Sequence, residues 1–160
     1  ISTVVSEMHT GEYLSTLVAG NIHAGFLPVI LFMLAGVMAF ATGTSWGTFG
    51  IMLPIAAAMA VKVEPSLIIP CMSAVMAGAV FGDHCSPISD TTILSSTGAH
   101  CNHIDHVTSQ FPYALTVAAS AATGYLALGM TGSAPLGFVV TGIVMVVLIL
   151  ILKDKKKATA

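Results

Sequence analysis

From Ala24 to Ala41 the chain carries eighteen residues without one polar side chain. At ~1.5 Å per helical residue that is about 27 Å, close to the thickness of a bilayer's hydrocarbon layer. A polar stretch follows, Thr42-Gly43-Thr44-Ser45-Trp46-Gly47-Thr48, and apolar character resumes from Phe49 to Val61, which is short for a full crossing. Residues 24–61 are therefore expected to form either a re-entrant hairpin with a polar tip or a pair of helices. Glu64-Pro65 predicts a surface turn. Leu67 to Phe81 is apolar apart from Ser73 and the thiol of Cys71, but fifteen residues reach only partway across. The remaining depth falls to Gly82-Asp83-His84-Cys85-Ser86-Pro87-Ile88-Ser89-Asp90-Thr91-Thr92, so residues 66–97 are expected to form a broken transmembrane helix. His100 to Gln110 reads as a surface loop, and 111–130 and 134–152 as two further spans. Residues 1–23, where Glu7, His9, Glu12, Asn21 and His23 interrupt the apolar positions, read as a loop or interfacial segment.

Composition fixes the solvent. Of 160 residues 56% are hydrophobic and 8% charged, against roughly a quarter charged in soluble domains. Mean hydropathy is +0.94. The reading is an all-α polytopic membrane protein in a lipid bilayer. Four of the five basic residues are Lys153, Lys155, Lys156 and Lys157, in a basic tail at 153–160. Lysine-rich short segments stay inside, so the C-terminus is expected in the cytoplasm and the protein in the cell (inner) membrane, multi-pass. Counting back puts the 100–110 segment inside and Lys62–Glu64 outside. Arginine is absent and no basic patch with aromatics occurs, so nucleic acid is excluded as a partner. Cys71, Cys85 and Cys101 form no CxxC pair and read as free thiols.

The chemistry is expected in the broken helix. A carboxylate at membrane depth costs on the order of 3 kcal/mol or more, which points to function for Asp83 and Asp90. Pro87 has no N–H and its ring opposes the carbonyl four residues earlier, that of Asp83, so the helix should open there and free that oxygen. Ser86, Ser89, Thr91 and Thr92 add hydroxyls. A small hard cation takes oxygen ligands, and sodium fits this set. In secondary transporters such ions sit where unwound backbone and half-helix ends converge, and Thr42, Thr44, Ser45 and Thr48 of the first polar stretch would supply the facing tip. Serines and threonines in membrane helices also bond back to their own helix, the structural alternative for each hydroxyl. His84, Cys85, His100, Cys101, His103, Asp105 and His106 lack the spacing of a zinc site, and the four histidines read first as a solvated surface and second as groups titrating near neutral pH.

Three strings carry a family resemblance: Ala41-Thr42-Gly43-Thr44-Ser45-Trp46-Gly47-Thr48-Phe49, the Gly82–Thr92 run, and His103-Ile104-Asp105-His106-Val107. Over residues 24–113 the chain resembles the C-terminal half of the NhaC-type sodium/proton antiporter family, within the ion-transporter superfamily. The resemblance implies one repeat of an inverted-repeat transporter, a hairpin and a broken helix meeting at the substrate site, in a protein that forms a homodimer. It carries a cation site over to Thr44, Ser45, Asp83, Ser86, Ser89 and Asp90. No second GTS-like tip or SPISD-like break occurs in these residues, so a missing N-terminal half or a companion chain is expected.

The function expected is secondary active exchange of sodium ions for protons, with no cofactor beyond the transported Na+ and H+. Asp83 or Asp90 would be the shared acceptor, with Na+ held at Asp83, Asp90, Thr44 and Ser45 and His84 as a proton relay. Competition for the same oxygens would couple the two fluxes. The rival is a sodium- or proton-coupled carrier of a small organic anion or amino acid, weakened by the lack of any basic residue in the polar segments. A metal-dependent membrane enzyme rests only on the histidine/cysteine cluster.

Overall fold

The structure, a computed structural model, describes residues 23–158 together with Glu7, Met8, Tyr13 and Thr16. Most of the segment expected to be a loop or interfacial helix at 1–23 thus lies outside the described residues. Among those described, every regular element is helical: a single 3-10 turn at Ala24–Phe26, then α1 (Leu27–Thr42), α2 (Ser45–Val63), a 3-10 turn at Pro65–Leu67, α3 (Ile68–Cys85), α4 (Asp90–Gly98), α5 (His103–Thr131) and α6 (Ala134–Ala158). Among the described residues five segments are long and apolar enough to cross a membrane: Ala24–Thr42, Ser45–Val63, Pro65–Cys85, His103–Thr131 and Ala134–Lys153. The chain is an all-α polytopic membrane protein.

Small residues set the packing, as they must where lipid tails compete equally for apolar side chains. A Cβ added to Gly78 would overlap the Phe32 carbonyl, and one added to Gly82 would overlap that of Gly36. The contact advances four residues along both chains, so α1 and α3 run parallel with their backbones touching, and α2 is the return stroke between them. Gly129 meets the backbone of Gly25, and Phe32 lies 5.6 Å from Tyr125, ring to ring, so α5 runs antiparallel to both. The Tyr125 hydroxyl donates to the Ser73 carbonyl at 3.0 Å, tying α5 to α3. Gly124 faces Gly137 and Thr141, which places α6 antiparallel on the outside of α5. Phe138, exposed over 80% of its surface, belongs to the outward face of α6. The core is buried Leu27, Leu31, Ala35, Ala39, Met52, Ala56, Met59, Cys71, Val75 and Ala79 from α1, α2 and α3.

Local geometry departs from the sequence expectation in three places. Only Gly43 and Thr44 are non-helical in the first polar stretch, because Thr44 caps α2, its Oγ1 accepting from Gly47 N at 3.3 Å. The segment 100–110 is not a loop: Asn102 caps α5, accepting from Ile104 N at 2.9 Å and Asp105 N at 3.3 Å, so helix begins at His103. Finally, α3 does not open at Asp83. It continues through Cys85, and the Asp83 carbonyl expected to be free accepts from Ser86 N at 3.1 Å. The residue before a proline is driven out of the α region, and Ser86 sits at φ −73°, ψ 128°, so Pro87 breaks the chain at 86–89 without disturbing the turn before it.

Candidate cation and proton site

A chain reversal and a helix break meet here. Gly43 ends α1 in the left-handed region at φ +67°, and its backbone is so close to Ile88 that a Cβ would lie 2.9 Å from the Ile88 carbonyl oxygen. The α1–α2 elbow is thereby seated on the 86–89 break. The C-terminal end of α3 and the N-terminal ends of α2 and α4 converge on the same spot. Ser45 is the first residue of α2 and Ser89 precedes the first residue of α4. Positive helix ends therefore face whatever negative charge lies between them.

That charge is Asp83, 5% exposed. Its Oδ2 accepts from Ser45 Oγ at 3.0 Å and its Oδ1 from Ser89 Oγ at 2.7 Å. Ser89, wholly buried, is also 2.7 Å from Thr91 Oγ1. Asp83, Ser45, Ser89 and Thr91 form one hydrogen-bonded cluster drawn from α2, α3, the break and α4. No lysine or arginine occurs between residues 63 and 152, so no fixed cation of that kind is available to the carboxylate from this part of the chain.

The other sequence-singled residues bond elsewhere. Asp90 is exposed, and its Oδ1 accepts from the N–H of Thr91, 2.8 Å away. Thr42 donates back to the Met38 carbonyl at 2.9 Å, and Thr48, buried, to the Thr44 carbonyl at 2.9 Å. Thr44 serves as the cap of α2. Ser86 is wholly buried and its Oγ accepts from Ile88 N at 3.4 Å, holding the break's shape. Thr92, buried, reaches the His84 carbonyl at 3.5 Å. The His84 side chain is exposed at one end of an apolar groove of about 680 Å³ between α3 and α5, with Phe32, Met76, Phe81 and Ala118 among its walls.

Two supports went unassigned in the sequence. The His103 ring bridges the break, its Nε2 2.7 Å from the Pro87 carbonyl and its Nδ1 3.1 Å from Ser96 Oγ. Gln110 Nε2 donates to the His84 carbonyl. Both carbonyls lie beside the break, where helical partners are missing. Among the described residues no three histidine, cysteine, aspartate or glutamate side chains gather as metal ligands.

A buried carboxylate ringed by hydroxyls and helix ends, where a chain reversal meets a helix break in a polytopic helical protein, is the kind of site at which secondary transporters hold ions. The Na+/H+ antiporter family matches residues 1–130, and the chain belongs to that family. Among curated relatives, an uncharacterized protein of Haemophilus influenzae is 63% identical over 155 residues, 97% of this chain and 30% of the relative. The malate-2H(+)/Na(+)-lactate antiporter of Bacillus subtilis is 35% identical over 89 residues, 54% of this chain and 18% of that protein. A second Haemophilus influenzae protein, described as an uncharacterized Na(+)/H(+) antiporter, is 32% identical over 105 residues, 66% of this chain and 22% of its own length. The chain thus spans under a third of the length of the relatives it matches. No solved structure matches it.

Proposed function

We propose that the protein to which this chain belongs exchanges sodium ions for protons across the cell membrane, with Asp83 as the shared acceptor. The observation that supports this most is the burial of Asp83 with hydroxyl partners on both oxygens. Hydroxyl bonds and helix ends lower the cost of the buried charge but do not neutralise it. A sodium ion or a proton does, and since each neutralises the same carboxylate, binding of one expels the other. The oxygen-only surroundings favour a hard cation over a soft one. Ser45 lies beside the Oδ2 edge of the carboxylate and is the nearest hydroxyl ligand for sodium there. Asp90, exposed, serves as an approach charge. The companion half expected of an inverted-repeat transporter supplies the remaining ligands, and the C-terminal lysines keep that end in the cytoplasm.

A second reading has one observation in its favour: the Bacillus subtilis relative is named for organic anions alongside sodium and protons. Proteoliposomes carrying the complete natural protein and an internal pH-sensitive dye separate the two. Sodium added without organic solute changes internal pH if exchange is of ions alone. A response that appears only when an organic anion or amino acid is present transfers the function to a coupled carrier.

A further inference from the structure

The two oxygens of Asp83 are served from opposite sides by different elements. Oδ2 faces Ser45 on α2, while Oδ1 is the inner end of a row of oxygens: Thr91 Oγ1, Ser89 Oγ and Asp83 Oδ1 follow one another at 2.7 Å and 2.7 Å. The row runs from the surface inward, since Thr91 is exposed, Ser89 wholly buried and Asp83 nearly so. A hydroxyl has one hydrogen to give. Ser89 gives its own to the Asp83 carboxylate, so toward Thr91 it can only accept, and Thr91 must donate. When the carboxylate is ionised, both hydroxyls are therefore polarised in one direction, toward the buried charge. The neighbouring hydroxyls are differently engaged. Ser86 Oγ accepts from Ile88 N, and Thr92 Oγ1 faces the His84 carbonyl.

We infer that Thr91 and Ser89 are the proton conduit to Asp83, distinct from the Ser45 side where sodium enters. The inference rests on Asp83 being the shared acceptor. A hydronium ion gives a proton to Thr91 Oγ1 and is left as water, while the hydrogen of that hydroxyl passes to Ser89 Oγ and the hydrogen of Ser89 passes to Oδ1. One O–H bond forms and one breaks at each hydroxyl, a single new O–H bond forms at the carboxylate, and the net transfer is one proton from solvent to Asp83. The protonated carboxyl no longer attracts sodium, and rotation of the two hydroxyls restores the starting orientation. Separate approaches let the proton arrive at one oxygen while the cation leaves from the other.

The experiment compares two transport modes in proteoliposomes carrying the complete natural protein. Sodium-for-proton exchange is read by internal pH, and sodium-for-sodium exchange, which moves no proton, by radiolabelled sodium. Thr91→Val keeps the side-chain shape at an exposed position and removes the hydroxyl. It should slow sodium-for-proton exchange at least about tenfold, a modest share of what a positioned proton-transfer group contributes. The half-saturating sodium concentration and sodium-for-sodium exchange should stay within about twofold of the parent, the pattern of a lost kinetic step rather than lost binding. Thr91→Ser should restore the rate, and Ser89→Ala should slow sodium-for-proton exchange as well, with sodium affinity altered in addition because Asp83 Oδ1 loses its hydroxyl partner. A raised half-saturating sodium concentration in Thr91→Val makes Thr91 a cation ligand and overturns the conduit. So does equal loss of both modes, and so does an unchanged exchange rate. The acceptor itself is tested apart: Asp83→Asn retaining sodium-for-proton exchange removes the reading on which the conduit stands, whatever the Thr91 variants do.

Discussion

Ser45 Oγ donates to Asp83 Oδ2 at 3.0 Å, joining positions 38 residues apart in the chain. The bond places the first residue of α2 against the last turn of α3 and closes the cluster from the side opposite Ser89. Replacing Ser45 by alanine removes one oxygen from the sodium side and leaves the carboxylate. The half-saturating sodium concentration should rise about tenfold, corresponding to roughly 1.4 kcal/mol, close to the lower end of what a hydrogen bond to a charged group contributes. Sodium dependence of exchange measures it, and an unchanged value would reduce Ser45 to packing.

Gly43 is required twice, by its φ of +67° and by its contact with Ile88. Gly43→Ala should destabilise the protein by about 1–2 kcal/mol from the backbone conformation alone, with more added where the Cβ meets the Ile88 carbonyl. Gly50 is the control, since nothing lies within 4 Å of a Cβ built there. Alanine at Gly50, in the interior of α2, should be neutral or stabilising by up to roughly 1 kcal/mol. Thermal unfolding in detergent should order the three proteins Gly50→Ala, parent, Gly43→Ala, from most to least stable.

Apolar runs and one proline made the spans and the break legible before any coordinates. What the runs hid was helix written in polar letters. His103 to Gln110 contains no apolar stretch, yet Asn102 caps it and the helix below carries it on. The different surroundings of Asp83 and Asp90 were equally hidden. Both flank Pro87 with similar neighbours, and what separates them is the arrival of α2 at Asp83 and the local bond of Asp90 to its own helix. Such a distinction lives in tertiary contact and leaves no periodic trace. Asp83's carbonyl was misjudged for the converse reason: a proline breaks the helix it would interrupt only if that helix tries to continue, and Ser86 has already left it.

His103 should act as the strut of the break, because its ring is the bridge between the Pro87 carbonyl and Ser96. His103→Ala leaves the Pro87 carbonyl without that partner, at a cost of about 1–3 kcal/mol. Cys85, 3% exposed at the end of α3, reports the loosening. In a Cys101→Ser background, which removes the exposed thiol, maleimide should label Cys85 several-fold faster in His103→Ala than in the parent. Equal labelling rates would show that the break holds its shape without the ring.

The decisive comparison is between the two aspartates. Asp83→Asn keeps the size of the side chain and its ability to bond Ser45 and Ser89, but removes the charge that sodium and protons contest. It also relieves the cost of a buried carboxylate, so the variant should fold and insert at least as well as the parent. Exchange of sodium for protons should nevertheless fall to background. Asp83→Glu retains the charge and displaces it by one methylene, so it should keep measurable exchange with weaker sodium affinity and an altered pH dependence. Asp90→Asn acts at an exposed carboxylate and should lower the rate about twofold to threefold, most visibly at low ionic strength where a surface charge is least screened. The measurement is dye-reported exchange over a range of pH and sodium in proteoliposomes with equal protein content. Parental exchange in Asp83→Asn together with its loss in Asp90→Asn would move the acceptor to Asp90 and require the exposed residue to be enclosed by the rest of the transporter.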